Sequence, residues 1–358
     1  MIKDVFQGTI KYMQILDENG SIDKSLLPGG LTDEKIVEMY KQMSFARAVD
    51  AKALSLQRQG RLATYAPLLG QEAEQVGSAM ALRSNDVIVP NFRQHGALLV
   101  RGLQLDKFFV YWKGYEDGAA AMKGINALPV IVPVGTQMPH AAGVAFAQKY
   151  KGTGAAVLAY VGDGGTSEGE FYEALNFAGV MKLPLVTIIE NNQWAISMPR
   201  EKQSAATTLA QKAFAAGIAG MQVDGNDVIA VYRATSEAIA NAKNGPTLIE
   251  AVTYRMGMHT TSDDPTKYRP DSEVEEWKSR DPIARMRRYM DMKGLWDEGK
   301  ENAMIEEHSK MIDDAVEKAG QFRPDPKTMF ETIYSFMPGV LKEEEDDAIS
   351  NGFWLGSV

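Results

Sequence analysis

The chain has 358 residues, 45% of them apolar and 24% charged, a composition that suits a soluble globular protein of one large or two ordinary domains. Its formal net charge of −9 argues against nucleic acid and anionic membranes as partners, since neither gains from an acidic surface. The absence of cysteine excludes disulfides, thiolate zinc sites, iron–sulfur clusters and cysteine nucleophiles, and sets the expectation of a cytoplasmic protein.

Residues 1–30 are mixed and turn-rich and read as an N-terminal arm rather than a core element; Met1-Ile2-Lys3-Asp4 leads into no apolar signal core. From Thr32 to Gln59 the pattern predicts a helix, with Ile36, Met39, Tyr40 and Met43 on one face. Ala155 to Val161 is a short apolar run between glycines, as in a buried parallel strand. Phe171, Leu175 and Ala178 then recur at helical spacing, and the helix ends near Leu183-Pro184. Leu185 to Glu190 and Thr247 to Val252 read as further strands. Strand, helix and strand in about 35 residues make a βαβ unit, so the fold class is α/β: a doubly wound, mainly parallel sheet over residues 31–280. Residues 281–358 read as a helical, charged extension, irregular beyond Gly320, with the acidic run Glu343 to Asp347 as a solvated tail.

Ligands of an open parallel sheet bind outside the carboxyl ends of its strands. The first such end reads Gly162-Asp163-Gly164-Gly165-Thr166-Ser167-Glu168-Gly169, a glycine turn before a helix that lets backbone N–H groups meet a phosphate. No G-x-x-x-x-G-K-[ST] occurs, and Ser167 stands where the dinucleotide fingerprint needs its third glycine. Asp163 is the informative residue. A carboxylate beside a diphosphate is repelled unless a cation lies between them, so the loop predicts a metal, and a hard cation such as Mg2+ wants oxygen ligands. The next strand ends in Glu190-Asn191-Asn192-Gln193-Trp194, where an asparagine carboxamide adds a neutral oxygen.

The series GDG at Gly162 to Gly164, then Ala174-Leu175-Asn176, Leu183-Pro184 and Asn191-Asn192 resembles the thiamine-diphosphate motif. Beyond it, from about Leu31 to Pro338, the chain is similar to the alpha subunits of the 2-oxo acid dehydrogenases that act on pyruvate and branched-chain 2-oxo acids. Arg58 to Leu62, Tyr65-Ala66-Pro67, Gly70-Gln71-Glu72 and Thr208 to Ala213 resemble the bacterial pyruvate enzymes. The resemblance implies thiamine diphosphate and Mg2+ as cofactors. Asp163, Asn192 and the backbone carbonyl of Trp194 would ligate the metal, with Gly162, Gly164 and Gly165 against the diphosphate. Phe92-Arg93 matches an aromatic–arginine pair whose guanidinium binds the diphosphate; Phe92 stands where the family often has tyrosine. Val134 matches the backbone contact to the aminopyrimidine, and Thr136 and Gln137 lie where branched-chain members hold a monovalent cation. Ser262 matches a serine that mitochondrial relatives phosphorylate; here a loop-ordering hydrogen bond is expected.

Of four histidines, His259 sits on a loop rich in Gly and Asp past the Thr247–Val252 strand and is expected to bind the diphosphate or transfer protons. His95 is expected to pack or cap a helix, His140 to be structural among small residues, and His308 to face solvent. The resemblance further implies a beta subunit that supplies the pyrimidine-side glutamate in an α2β2 assembly. It also implies oxidative decarboxylation of a 2-oxo acid, with acyl transfer to the lipoyl arm of a dihydrolipoyl acyltransferase. Arg58 to Pro67 favours pyruvate with acetyl transfer; the loop His259 to Pro265, with Trp277 and Asp281-Pro282, is equally close to branched-chain relatives, and acetoin is a third substrate. Substrate size is expected to be read near Tyr65, Leu68 and Leu69. A non-catalytic scaffold that binds the cofactor is the alternative from another class.

Overall fold

A computed structural model describes residues 1–325 and 327–351. Its strands are β1 (Tyr12–Met13), β2 (Val87–Val89), β3 (Val157–Gly162), β4 (Leu185–Asn191), β5 (Trp194–Ala195), β6 (Met198–Pro199), β7 (Ala219–Asp224) and β8 (Thr247–Val252). Six form one parallel sheet in the order β1-β7-β8-β4-β3-β2, while β5 and β6 make a small antiparallel hairpin. The six-strand parallel sheet, flanked by helices, agrees with the doubly wound α/β expectation.

Alternation along β3 explains the layering. Val157, Ala159 and Val161 join one core cluster with helices α5 (Gln137–Lys151) and α6 (Gly169–Met181). Helices α1 (Asp33–Arg58), α2 (Glu72–Met80), α3 (His95–Val100) and α4 (Leu105–Trp112) feed the opposite core, which receives Leu158 and Tyr160. Side chains that alternate into two covered faces require apolar residues at every position, hence the unbroken runs in β3 and β4. All seven residues of β4 are buried. In α1 the stripe Ile36, Met39, Tyr40 and Met43 is buried as the spacing predicts, and Thr32 caps its N-terminus through Lys35 N (3.3 Å).

Two expectations need correction. The opening segment is exposed over residues 1–9 but anchors in the core further on: Tyr12–Met13 pairs with β7, and Ile15 and Leu16 are fully buried. Their two N–H groups donate to the Asp227 carboxylate at 2.6 and 2.7 Å, and the other oxygen of Asp227 caps the helix Val228–Asn241. The acidic run is solvated at Glu343, Glu344, Asp346 and Asp347 as expected, but it lies within a helix, Gly339–Ser350, where Glu345 is buried and takes a bond from Lys342 (3.0 Å). The rest of the extension is helical at Pro282–Met292 and Glu298–Gln321, and its last positions, 352–358, lie outside the described residues. Among the described residues no helix is long and apolar enough to cross a membrane.

Candidate active site

Register decides which residues meet. In the sheet Gly162 of β3 pairs with Glu190 of β4, and Asn191 of β4 pairs with Val252 of β8. The residues that follow, Asp163, Asn192 and Thr253 to Arg255, therefore emerge side by side at the carboxyl edge. Asn91 to Arg93 leave the end of β2 on the same edge. This edge borders a cleft of about 590 Å³ whose walls include Arg93, Asp163, Asn192, Trp194, Arg255 and His259.

Asp163 is 2% exposed, and its Oδ2 is buried with no hydrogen-bond partner among the described residues. Burial pushes its carboxyl up to about 6, opposed by the Gly164 N–H and by Arg255. A buried carboxylate oxygen with nothing to bind fits a cation that the protein chain itself does not supply. Asn192 is oriented for the same role: its Nδ2 donates to Gln71 Oε1 (2.8 Å), so its Oδ1 is left with one long bond from Trp194 N (3.3 Å). The Trp194 carbonyl already accepts from Arg255 Nη1 (2.9 Å), which leaves one lone pair for a metal. Among the described residues no three His, Asp or Glu side chains cluster as a metal cage. One carboxylate and one amide suit an ion that a diphosphate shares, which is the Mg2+ pattern. Close approach explains the glycines: a Cβ on Gly164 would lie 2.6 Å from Ala195 Cβ, and one on Gly165 2.7 Å from Val161 Cγ2. Gly162, beside them in the cleft wall, has open space where a Cβ would be.

The same cleft holds two guanidiniums and an imidazole. Arg93, 3% exposed, donates from Nη1 to Pro67 O (2.5 Å) and from Nη2 to the His259 carbonyl (2.9 Å) and ring Nδ1 (3.2 Å). Its guanidinium lies 5.3 Å from the Phe92 ring, so the aromatic packs against the cation. Arg255 Nη1 reaches the same His259 Nδ1 at 3.3 Å. Arginine only donates, so Nδ1 accepts from both and the ring proton is on Nε2. Burial first, then Arg93 and Arg255, hold His259 down to about 3, and burial with Arg255 lowers Arg93 to about 10. Three groups that each disfavour the others' charge, gathered in one cleft, make a pocket that suits an anion.

Other expected residues fall elsewhere. Val134 is half exposed on the rim of the cleft. Gln137 is buried, donates to Tyr160 O (3.0 Å) and opens α5 directly after Thr136. Ser262 is exposed, with its hydroxyl 3.4 Å from Thr64 Oγ1. His95 packs as expected, at the start of α3 between Tyr65 and Trp112. His140 is exposed, with Nδ1 2.7 Å from the Thr136 carbonyl, rather than enclosed by small residues. His308 is half-buried against Phe45 at 5.0 Å instead of facing water, because the helix Glu298–Gln321 lays that face on α1. Tyr65 and Leu68 are fully buried behind Asp50, and neither they nor Leu69 line the cleft; Thr64, Ala66 and Trp112 do.

Sequence reasoning passed over Gln71 and Arg255 as site residues. Arg255 also ties the β5–β6 turn to its loop, donating to Ile196 O (2.7 Å) and the Tyr268 hydroxyl (2.9 Å). Its signal was position alone, three residues past β8. Burial and the neighbouring Glu190 carboxyl, which lines the cleft, push Glu74 well above the ordinary carboxylate range.

A family model described as "Dehydrogenase E1 component" matches residues 40–327. The chain is 46% identical over 342 residues to the "Pyruvate dehydrogenase E1 component subunit alpha" of Staphylococcus aureus, covering 94% of this chain and 92% of that protein. It is 45% identical, with the same coverage, to the protein of that name in Staphylococcus epidermidis.

Proposed function

This chain belongs to the dehydrogenase E1 component family, and we propose that it is the alpha subunit of a pyruvate dehydrogenase, active with a beta subunit. Thiamine diphosphate is the cofactor and Mg2+ its metal in this reading. The observation that carries it is the pairing of an orphaned Asp163 oxygen with the Arg93–His259–Arg255 cluster, a cation site and an anion site on one cleft.

Asp163, the Asn192 amide oxygen and the Trp194 carbonyl would hold Mg2+, and Arg93, Arg255 and the His259 Nε2–H would take the diphosphate oxygens. Backbone at Gly164 and Gly165 approaches the same group, while Val134 meets the aminopyrimidine. Thiamine diphosphate, held by these residues, would supply the nucleophile for the 2-oxo carbon and the electron sink for loss of CO2. His259 has two available duties, orienting the diphosphate and donating a hydrogen bond from Nε2 toward the reacting centre, since its Nδ1 is held by Arg93 and Arg255. The acetyl group then passes to the lipoyl arm of a dihydrolipoyl acetyltransferase. Exposed Phe146, Tyr150 and Phe177 on α5 and α6 support the reading that another chain covers this one, here in an α2β2 assembly. The reading puts the protein in the cytoplasm.

The test uses the chain co-expressed with its beta-type partner. Asp163→Ala should weaken Mg2+-dependent thiamine diphosphate binding about 100-fold or more and abolish CO2 release from pyruvate, with melting of the cofactor-free protein unchanged. Unaltered cofactor affinity would remove the metal assignment, and faster turnover of 3-methyl-2-oxobutanoate than of pyruvate would reassign the substrate.

A further inference from the structure

The segment Thr208 to Ala213 holds a charged residue for which the chemistry above has no use. Lys212, in the 3-10 turn Ala210–Ala216, is 8% exposed. A buried ammonium ordinarily sits against a carboxylate, because desolvating an unpaired charge is expensive. Lys212 instead spends its hydrogen bonds on one neutral residue: Nζ donates to the Thr166 carbonyl (2.8 Å) and to Thr166 Oγ1 (3.0 Å). The rings of Tyr172 and Phe171, 5.2 and 5.9 Å away, cover the remainder of the cation. Thr166 passes the restraint on, since its hydroxyl and its N–H both donate to the Asp163 carbonyl, at 2.7 and 3.2 Å.

We propose that Lys212 is the positioning residue of the metal–diphosphate loop, clamping Asp163 through Thr166 from a segment 46 positions further along the chain. The loop needs such a clamp. Gly164 and Gly165 interrupt it, and glycine leaves the backbone free to turn the Asp163 carboxylate away. With the Thr166 carbonyl taken by an ammonium, the turn is held where Gly164 and Gly165 line the cleft. A cation that no carboxylate of the loop neutralises also leaves positive potential behind the α6 N-terminus, where a diphosphate would sit.

The proposal rests on the reading that Asp163 grips a metal-bound diphosphate, and two readouts separate the ideas. In the cofactor-free chain with its beta-type partner, Lys212→Met should speed amide hydrogen exchange at Gly164 to Thr166, an effect that owes nothing to cofactor. In the same complex the Kd for thiamine diphosphate with Mg2+ should rise about tenfold, or about 1.4 kcal/mol, while kcat at saturating cofactor falls far less. Thr166→Val should raise Kd a few-fold, and the double variant should be no worse than Lys212→Met, because both cut one chain of bonds. Additive effects, or a Kd within twofold of the parent together with unchanged exchange, overturn the clamp. Should Lys212→Met fail to fold, Thr166→Val alone must still loosen Asp163 by both readouts. A parent complex that shows no Mg2+-dependent binding sinks the site reading, and the exchange data then judge the clamp by itself.

Discussion

His95 and Arg255 show how single side chains here are tuned by what surrounds them. His95 is 2% exposed, with Nε2 3.0 Å from the Ala66 carbonyl, and burial lowers it to about 3 from an unfolded 6.5. Between those values the unfolded chain binds a proton that the native one refuses, so stability is lost as pH falls from 6.5 toward 3. Acidification from pH 6.5 to 4.5 should cost roughly 2–3 kcal/mol through this residue. His95→Gln keeps a donor for Ala66 O and removes the titration, so urea midpoints at the two pH values should lie closer together than in the parent; equal separations would contradict the assignment. Arg255→Met acts on the cleft. It frees His259 of one of its two cations, so the imidazole should protonate at higher pH, and it should weaken binding of thiamine diphosphate with Mg2+ about 10- to 100-fold. Histidine NMR and calorimetry on the co-expressed pair read the two effects. Arg255→Lys should not rescue, because a single ammonium cannot span the carbonyls of Trp194 and Ile196.

Elements that bury both faces were legible in the sequence, and those held by someone else's side chain were not. The apolar runs of β3, β4 and β8 announce themselves because each strand is covered above and below. β2 has three residues and β1 two, too few for any periodicity, and β7 mixes half-buried positions near the sheet's edge. The N-terminal arm joins the core through Asp227, a residue more than 200 positions away, and no local pattern encodes that. Asp227 is thus an N-cap and a clasp at once. Asp227→Ala removes the partners of two helix N–H groups and strands the buried N–H groups of Ile15 and Leu16. The expected loss is about 2–4 kcal/mol, together with faster hydrogen exchange across residues 12 to 16. An unchanged urea midpoint would mean that the arm docks by its apolar contacts alone.

At the scale of the whole molecule, the cleft collects charge from four strand ends that are far apart in sequence. Asp163 and Asn192 could be placed at the cleft beforehand because the glycine turn and its βαβ spacing lie within one local unit, and Arg93 through the resemblance carried by Phe92-Arg93. Arg255 and Gln71 could not, since their roles arise only when the ends of β4 and β8 and the start of α2 come together. That origin has a thermodynamic consequence. The Arg93–His259–Arg255 cluster and the Asp163 oxygen exist as a site only in the folded chain, so the metal and an anion that fill them bind the native state and pull the folding equilibrium with them. Inorganic diphosphate with Mg2+, lacking the whole thiamine moiety, should then raise the stability of the isolated chain by about 2.7 kcal/mol at a concentration 100 times its Kd. Diphosphate after EDTA should do much less, because Asp163 then faces the anion directly. The same comparison in Asp163→Ala should show little difference between the two conditions, for without the carboxylate the metal has lost its protein anchor and only the arginines remain to hold the anion. Thermal melts of the two proteins under the two conditions measure all four corners, and a metal effect of equal size in both would place the ion somewhere other than Asp163.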